Sequence, residues 1–500
     1  MSRFEGSVRL DTIAAGASVW CGALALFAMR SDPVLSPDSV AYLSAAEHFH
    51  RGAGLTDFTG EPLTVFGPIY PLLLSPGGRS LVWASIVGAA AVAIATMLLF
   101  VLLRRRVRPL VALVAAIAFG MSQGLVRVSS TVWSETPYIA ISLAALVVLT
   151  RTPMLRRHAT AGGLLAGLGF LTRYAGAGLI ITGGVMVLIV GWPAQGRARW
   201  RLVAWYLVAA GLLPLAWVVR NLIRAGDLLG PRFEGGTSEG FDTLVERPFR
   251  AVGELMMGRG SHPATALQVG LIVLIAVALV MAVAAWKRPT RILDVGMAAF
   301  MITSLVVPVV ARMVTSNDIE YRVMSPMLVP IVYAAALAID PWCRWRLGVA
   351  LAGSAAVLWA YQGVVIAIDV PDTLRGSAGA HSAFSPQLYD IVATLPADVN
   401  VLTNNPQRLW WHTGHEPVLF AFTRPRPGNS HYPLSADDTL HQACSGTTYL
   451  AWFEGLANAG DGPHERRPDL MQVVDLHVEQ TVPGGELFQV VPRDMSLCTS

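Results

Sequence analysis

Apolar residues in this chain gather into repeated runs, and the polar residues between the runs are of two kinds. Some gaps are short and rich in arginine. Others are longer and mix acids, histidine, tyrosine, proline and glycine. Each run approaches the length needed to cross a hydrocarbon core of about 30 Å. The pattern predicts helices over residues 12–30, 80–103, 109–126, 134–150, 159–172, 175–192, 201–220, 264–286, 292–311, 323–340 and 347–368, about eleven crossings in all. The tightest place is 159–192, where two crossings have only about 17 residues each, the short limit for a span. Both are kept, because a single long crossing would carry the cluster Arg197, Arg199 and Arg201 to the wrong side. Short or broken helices are tolerated where they line a protein cavity.

The basic residues orient the chain. Arg3 and Arg9 precede the first run, and the later clusters are Arg104–Arg108, Arg151–Arg157, Arg197–Arg201, Lys287–Arg291 and Arg344–Arg346. One alternation places all of them in the cytoplasm, as the positive-inside rule asks. The N-terminus is then cytoplasmic, and segments 31–76, 127–135, 173–174, 221–263 and 312–322 face outward. These outer segments carry the mixed functional groups, so chemistry is expected on the outer face of the cytoplasmic membrane.

Beyond about residue 369 charge, proline and asparagine rise and no membrane-length run appears. Ser385-Pro386 reads as a helix start, N-cap followed by proline at the first helical position. Strands near 399–403, 417–422, 448–453, 472–477 and 487–491 interleave with helices near 386–394, 406–413 and 436–443. That alternation predicts a small extracytoplasmic α/β domain over 371–500, after a membrane domain over 1–370. Cys444 and Cys498 both fall in it and are candidates to pair in an oxidising compartment.

Composition agrees with a multi-pass membrane protein: 54% hydrophobic and 14% charged, where soluble domains carry nearer 25% charged residues. A net charge of +4 does not point to nucleic acid, because the Lys and Arg lie mainly in the short loops that set topology. No P-loop, GxSxG elbow, HExxH or zinc spacing is present, and no cofactor or bound metal is expected.

Segment 31–76 concentrates the candidate chemistry. Asp38 lies two residues after Ser36 and starts a helix, expected to be amphipathic, that carries Tyr42, Glu47, His48 and His50. An acid held beside a low-dielectric cavity can serve as a general base, and the competing reading is a solvated helix cap. Glu135 opens a helix, where the dipole alone would justify a carboxylate; a role in the cavity is the alternative. Arg173, beside Tyr174, interrupts an apolar stretch. It either meets a lipid phosphate or pairs with Glu135 or Asp38. Arg220 is a phosphate ligand or an interfacial anchor, and Arg322 adds another outward cation. Tyr42, His48, Glu135 and Tyr174 are candidates to line the substrate cavity.

Several stretches together resemble the GT-C superfamily of integral membrane glycosyltransferases, in particular the bacterial branch related to protein mannosyltransferases and lipid A aminoarabinose transferases. They are Pro37-Asp38-Ser39 with Tyr42-Leu43, Arg51-Gly52 with Gly54-Leu55, Phe66-Gly67-Pro68 with Tyr70-Pro71, Ser134-Glu135-Thr136-Pro137-Tyr138, Leu171-Thr172-Arg173-Tyr174, Trp217 with Arg220-Asn221, and Arg322 with Pro326. The resemblance covers about residues 10–370. It implies transfer of a sugar from a polyprenyl-phosphate donor, with inversion, onto a lipid, glycan or protein acceptor, in contact with membrane lipids and without nucleotide. It places Asp38 as the base and Arg173 and Arg220 as donor-phosphate ligands; Arg322, as a further outward cation, is a candidate for the same phosphate site from its position alone. Members often bear a second acid beside the first; here Ser39 stands there. A flippase for lipid-linked sugars and a non-catalytic envelope assembly protein are the rival readings.

Overall fold

A computed structural model of the 500-residue chain describes residues 2–190, 197–230, 241–258, 261–287, 292–314, 318–375, 385–419, 435–455 and 462–499. Each of the apolar runs is helical. Helix α1 (Ser2–Ala28) is followed by two short helices of the first outward segment, α2 (Pro37–His50) and α3 (Ile69–Leu74). Next come α4 (Leu81–Leu103), α5 (Pro109–Gly120), α6 (Gln123–Ser129), α7 (Glu135–Leu149), α8 (Arg156–Thr172), α9 (Ala177–Val190) and α10 (Arg197–Ala225). The bundle is completed by α11 (Phe241–Met257), α12 (Pro263–Lys287), α13 (Ile292–Val314), α14 (Leu328–Ile339) and α15 (Arg346–Arg375).

Among the described residues six helices are long and apolar enough to cross a membrane, and a seventh span results if α5 and α6 count as one. Their run was expected as one straight helix over 109–126. It is instead bent by 46° at the break between the two. Ser122 explains the break, because its hydroxyl caps α6 by accepting from the Leu125 N–H, an alternative to continuing α5. Helix α7 has only 15 residues and is buried along most of its length. Its ends are therefore met by protein rather than by lipid, the setting in which short helices persist at membrane depth.

Two helices lie where only an outward loop was expected. One is α3. The other, α11, was legible in principle: Leu244, Pro248, Ala251, Val252 and Leu255 are buried at helical spacing. It packs closely on α12, with Gly253 against the Ala266 carbonyl and Gly270 against that of Phe249, where a side chain at either glycine would collide with backbone. A third difference concerns α2. Expected to be amphipathic, it is buried at every position from Ser39 to His48. The outward segment folds back over it as α3 and the turn after it, and the C-terminal unit covers the rest.

The two ends of the bundle differ chemically. At one end the arginines after α4 are tied down: Arg104 to Asp11, Arg106 to Asp294 (3.0 Å) and Arg108 to Asp340 (3.1 Å). Asp294 is 3% exposed and also accepts from the Tyr333 phenol. At the other end the segments before α2, before α7, after α8 and before α14 converge.

The C-terminal unit contains α16 (Pro386–Ala393), β1 (Asn400–Thr403), α17 (Pro406–Thr413), β2 (Val418–Leu419), α18 (Ala436–Ser445), β3 (Thr448–Phe453), α19 (Pro463–Arg466), β4 (Val474–Val482) and β5 (Gly485–Pro492). The sheet order is β2-β1-β3-β5-β4; β1 runs parallel to β2 and β3, and β5 antiparallel to β3 and β4. Residues 420–422 of the second predicted strand lie outside the described residues. A disulfide joins Cys444 of α18 to Cys498. The unit sits on the end of the bundle that carries α2. Trp410 of α17 joins the apolar cluster of Tyr42, Phe58 and Tyr70. The Arg79 guanidinium lies 5.2 Å over the Trp410 ring and 4.8 Å over that of Trp411, and donates to the Trp411 carbonyl.

Candidate active site

The start of α2 is fixed before any charge is considered. Ser36 Oγ accepts from the Ser39 N–H (3.2 Å) while Ser39 Oγ accepts from the Ser36 N–H (3.0 Å), a reciprocal cap with Pro37 at the first helical position. Ahead of the cap, the Val34 N–H donates to the Ser130 carbonyl (3.0 Å) and the Val132 N–H to that of Val34 (3.3 Å). The Trp133 indole N–H then donates to Ser36 Oγ at 2.7 Å. The chain before α7 thus braces the cap of α2.

Asp38 sits in the first turn of α2, where the helix dipole favours a carboxylate. Its side chain is 14% exposed, and Oδ2 accepts from Arg322 Nη1 at 2.6 Å. Arg322 Nε donates to Glu320 at 3.1 Å, and the guanidinium lies 4.8 Å over the Trp133 ring. Burial works against the cation, but the carboxylates of Asp38, Glu135 and Glu320 outweigh it and raise the Arg322 pKa. Arg322 is therefore a fixed charge.

A second pair lies beside the first. Glu135, 1% exposed at the start of α7, is ion-paired with Arg173 at the end of α8. For Arg173, too, burial pulls the pKa down, and Glu135 and Tyr42 more than reverse it. The pairs sense one another, since Glu135 favours the charge on Arg322 while Arg322 opposes that on Arg173. Tyr42, one turn along α2 from Asp38, has its hydroxyl 3.2 Å from Ser134 Oγ and its ring against Phe66 and Tyr70. Burial first, then the carboxylates of Asp38 and Glu135, push its pKa well up, so Tyr42 is a neutral phenol.

Asp38, Tyr42, Glu135, Arg173 and Arg322 are thus brought together. Three other candidates are placed elsewhere. His48 is ten residues further along α2, about 15 Å at 1.5 Å per residue. Its ring bonds to Thr56 Oγ1 at 2.8 Å and lies 3.5 Å from Glu416 of the C-terminal unit. Arg220 donates to the carbonyls of Leu63 (2.6 Å) and Leu55 (3.3 Å) and stacks on Trp217. The Tyr174 hydroxyl donates to the Thr64 carbonyl (2.6 Å) and accepts from Trp217 Nε1 (2.9 Å) and Asn221 Nδ2 (3.3 Å). Arg220 and Tyr174 therefore clamp residues 55–64 against α10. Tyr174→Phe is expected to destabilise the protein by about 1–3 kcal/mol, because partners are left unmet in a partly buried setting. Limited proteolysis should then cut faster within residues 55–66; an unchanged cutting rate would show that the hydroxyl does not hold this segment.

Trp133, Ser36 and Glu320 belong to the site although the sequence had not marked them as functional. Arg247 of α11 supports it from outside by pairing with Asp318, at the base of the segment that presents Arg322. Among the described residues no group of three or more His, Cys, Asp and Glu side chains is placed to hold a metal ion.

No protein-family model matches the chain, and no curated relative matches it. Its fold does have counterparts. The structure of ArnT from Cupriavidus metallidurans bound to undecaprenyl phosphate aligns with a TM-score of 0.57 at 11% identity, covering 97% of this chain and 98% of that one. The apo state of the same protein gives 0.59 at 10% identity, with 99% of each chain covered. The Archaeoglobus fulgidus oligosaccharyltransferase in complex with Zn and sulfate gives 0.55 at 13% identity, over 96% of this chain and 73% of that one. At such identities the likeness is one of fold. This chain has the GT-C fold, a helical membrane bundle carrying a small mixed α/β unit.

Proposed function

We propose that the protein is a membrane glycosyltransferase that moves a sugar from a polyprenyl-phosphate donor to an acceptor hydroxyl, with inversion and with Asp38 as general base. The observation that carries this reading is the Asp38 carboxylate, mostly buried and paired with Arg322, at the end of the bundle where the connecting segments converge. The GT-C fold supports it, as does the undecaprenyl phosphate bound to one structural counterpart. That the arginine-rich end lies opposite supports, by the positive-inside rule, a site on the outer face of the cytoplasmic membrane together with the C-terminal unit.

The chemistry is a single displacement. The acceptor oxygen attacks the anomeric carbon as its proton passes to Asp38. The bond from that carbon to the phosphate oxygen breaks, and the electron pair leaves with the polyprenyl phosphate. Arg322, bonded to Asp38 Oδ2, holds the carboxylate in place. The charge that grows on the leaving phosphate is met by Arg173 and Arg322, whose guanidinium groups each have five N–H donors, more than the carboxylates beside them take up. Arg220, committed to backbone carbonyls, positions the first outward segment instead.

The test uses purified protein in detergent, radiolabelled polyprenyl-phosphate sugars and a membrane extract as acceptor. Label is expected to move from donor to acceptor. If the protein in liposomes instead carries the intact donor across the bilayer and never transfers label, the transporter reading replaces this one.

A further inference from the structure

Helix α17 has two working faces. Trp410 and Trp411 face Arg79 and α2, as described above. On the other side, Asn405, Arg408 and His412 follow at intervals of three and four residues and so share one face. Tyr389 of α16 closes over that face: its ring stacks on His412 at 4.4 Å and lies 4.8 Å from Phe453, and its phenol interacts electrostatically with the Arg408 guanidinium.

Two polar atoms here are buried without a hydrogen-bond partner, Tyr389 Oη and Asn405 Nδ2. The residues are 4% and 9% exposed. Asn405 stands at the N-cap of α17, yet its side chain makes no capping bond. Buried polar groups are ordinarily paired, and an unmet one costs about 1–3 kcal/mol, so such a pair of orphans marks a place built for something else. Burial lowers the pKa of Arg408, which an anionic neighbour would reverse.

The sheet topology points to the same place. From β1 the chain crosses to β2 on one side, then returns through α18 to β3 on the other. In open α/β sheets ligands bind outside the carboxyl ends of parallel strands where the direction of winding switches. Here those ends are Thr403 and Phe453, joined by Asn404, whose side chain donates to the Phe453 carbonyl and accepts its N–H. Asn405 and Arg408 follow directly.

We propose that this cluster, Asn405, Arg408 and Tyr389 with the exposed His412 at its edge, binds an anionic oxygen group, carboxylate or phosphate, of a ligand that arrives from water. The groups turned toward it include an amide N–H, a phenol O–H and a guanidinium, a donor set suited to an acceptor-rich ligand. The proposal does not depend on the glycosyltransferase reading; where that reading holds, the occupant is part of the acceptor.

The experiment titrates full-length protein in detergent with sodium phosphate and, separately, sodium acetate, following Tm against sodium chloride of equal ionic strength. At least one ion should raise Tm saturably, and which one responds separates a phosphate from a carboxylate ligand. The response should be at least about tenfold weaker in Tyr389→Phe, which keeps the ring and removes only the hydroxyl, and absent in Arg408→Gln. Without added ion Tyr389→Phe should be as stable as the parent or more so, since it loses an unmet polar group. Asp38→Asn should keep the full response, which separates this cluster from the transfer site. Equal responses in the parent and Tyr389→Phe would mean an adventitious ion only, and would overturn the proposal. So would no response to either ion, or a Tyr389→Phe protein that is less stable without ion.

Discussion

Asp38→Asn protein is expected to fold, to bind donor with an affinity close to that of the parent, and to transfer sugar at least about 10²-fold more slowly, the lower end of what a positioned base contributes. The amide has the shape of the carboxylate but cannot take the acceptor proton. Arg322 is not left without a carboxylate, because Glu320 remains bonded to its Nε. The serine cap and the indole of Trp133 hold the backbone of the first turn independently of residue 38. Donor binding and label transfer are measured separately. Transfer within tenfold of the parent rate would remove Asp38 from the role of base while leaving the reaction class untouched.

The second large effect is on stability. Glu135 is buried and Arg173 mostly so, and together they hold the start of α7 to the end of α8. Removing one partner of a buried pair strands the other charge, at a cost of about 3–5 kcal/mol. Glu135→Gln and Arg173→Gln should each lose that much in a chemical denaturation series. The double variant should recover a large part of it, since no uncompensated charge remains. This is a double-mutant cycle, and its coupling should exceed 1 kcal/mol by a clear margin if the pair acts as described. Two single variants as stable as the parent would show that packing alone joins α7 to α8.

The sequence made the bundle legible because hydropathy and arginine placement are local signals. Apolar runs became helices wherever they were expected, and the strands and helices after Ser385 followed their turn residues closely. The bend at Ser122 was harder to see, since a single serine inside an apolar run is ordinarily tolerated in a helix. Helix α2 was misread as amphipathic because its alanines and serines look half-polar in isolation, whereas tertiary cover buries them all. At the site, Asp38, Glu135, Arg173 and Arg322 could each be singled out as charges beside apolar runs. Which carboxylate meets which guanidinium could not be read along the chain, because Asp38 and Arg322 are 284 residues apart. For Arg173 the sequence left Glu135, Asp38 and a phosphate open as partners; of the two acids, the fold pairs it with Glu135. The outward segment 221–263 hid α11 for a different reason: its apolar face is broken by charged residues on the opposite side, so no long run announces it.

The span of the Asp38–Arg322 contact also bears on how the protein is made. Helix α2 emerges from the ribosome early, but the guanidinium that pairs with its first acid arrives with the segment before α14, and the indoles that stack on Arg79 arrive later still, with α17. A nascent chain that has inserted its first nine runs holds Asp38 without Arg322. A chain halted before α17 leaves Trp410 out of the cluster around Tyr42. Asp38 therefore meets its cation only after the first nine runs have been made, and the cluster around Tyr42 is completed only with α17.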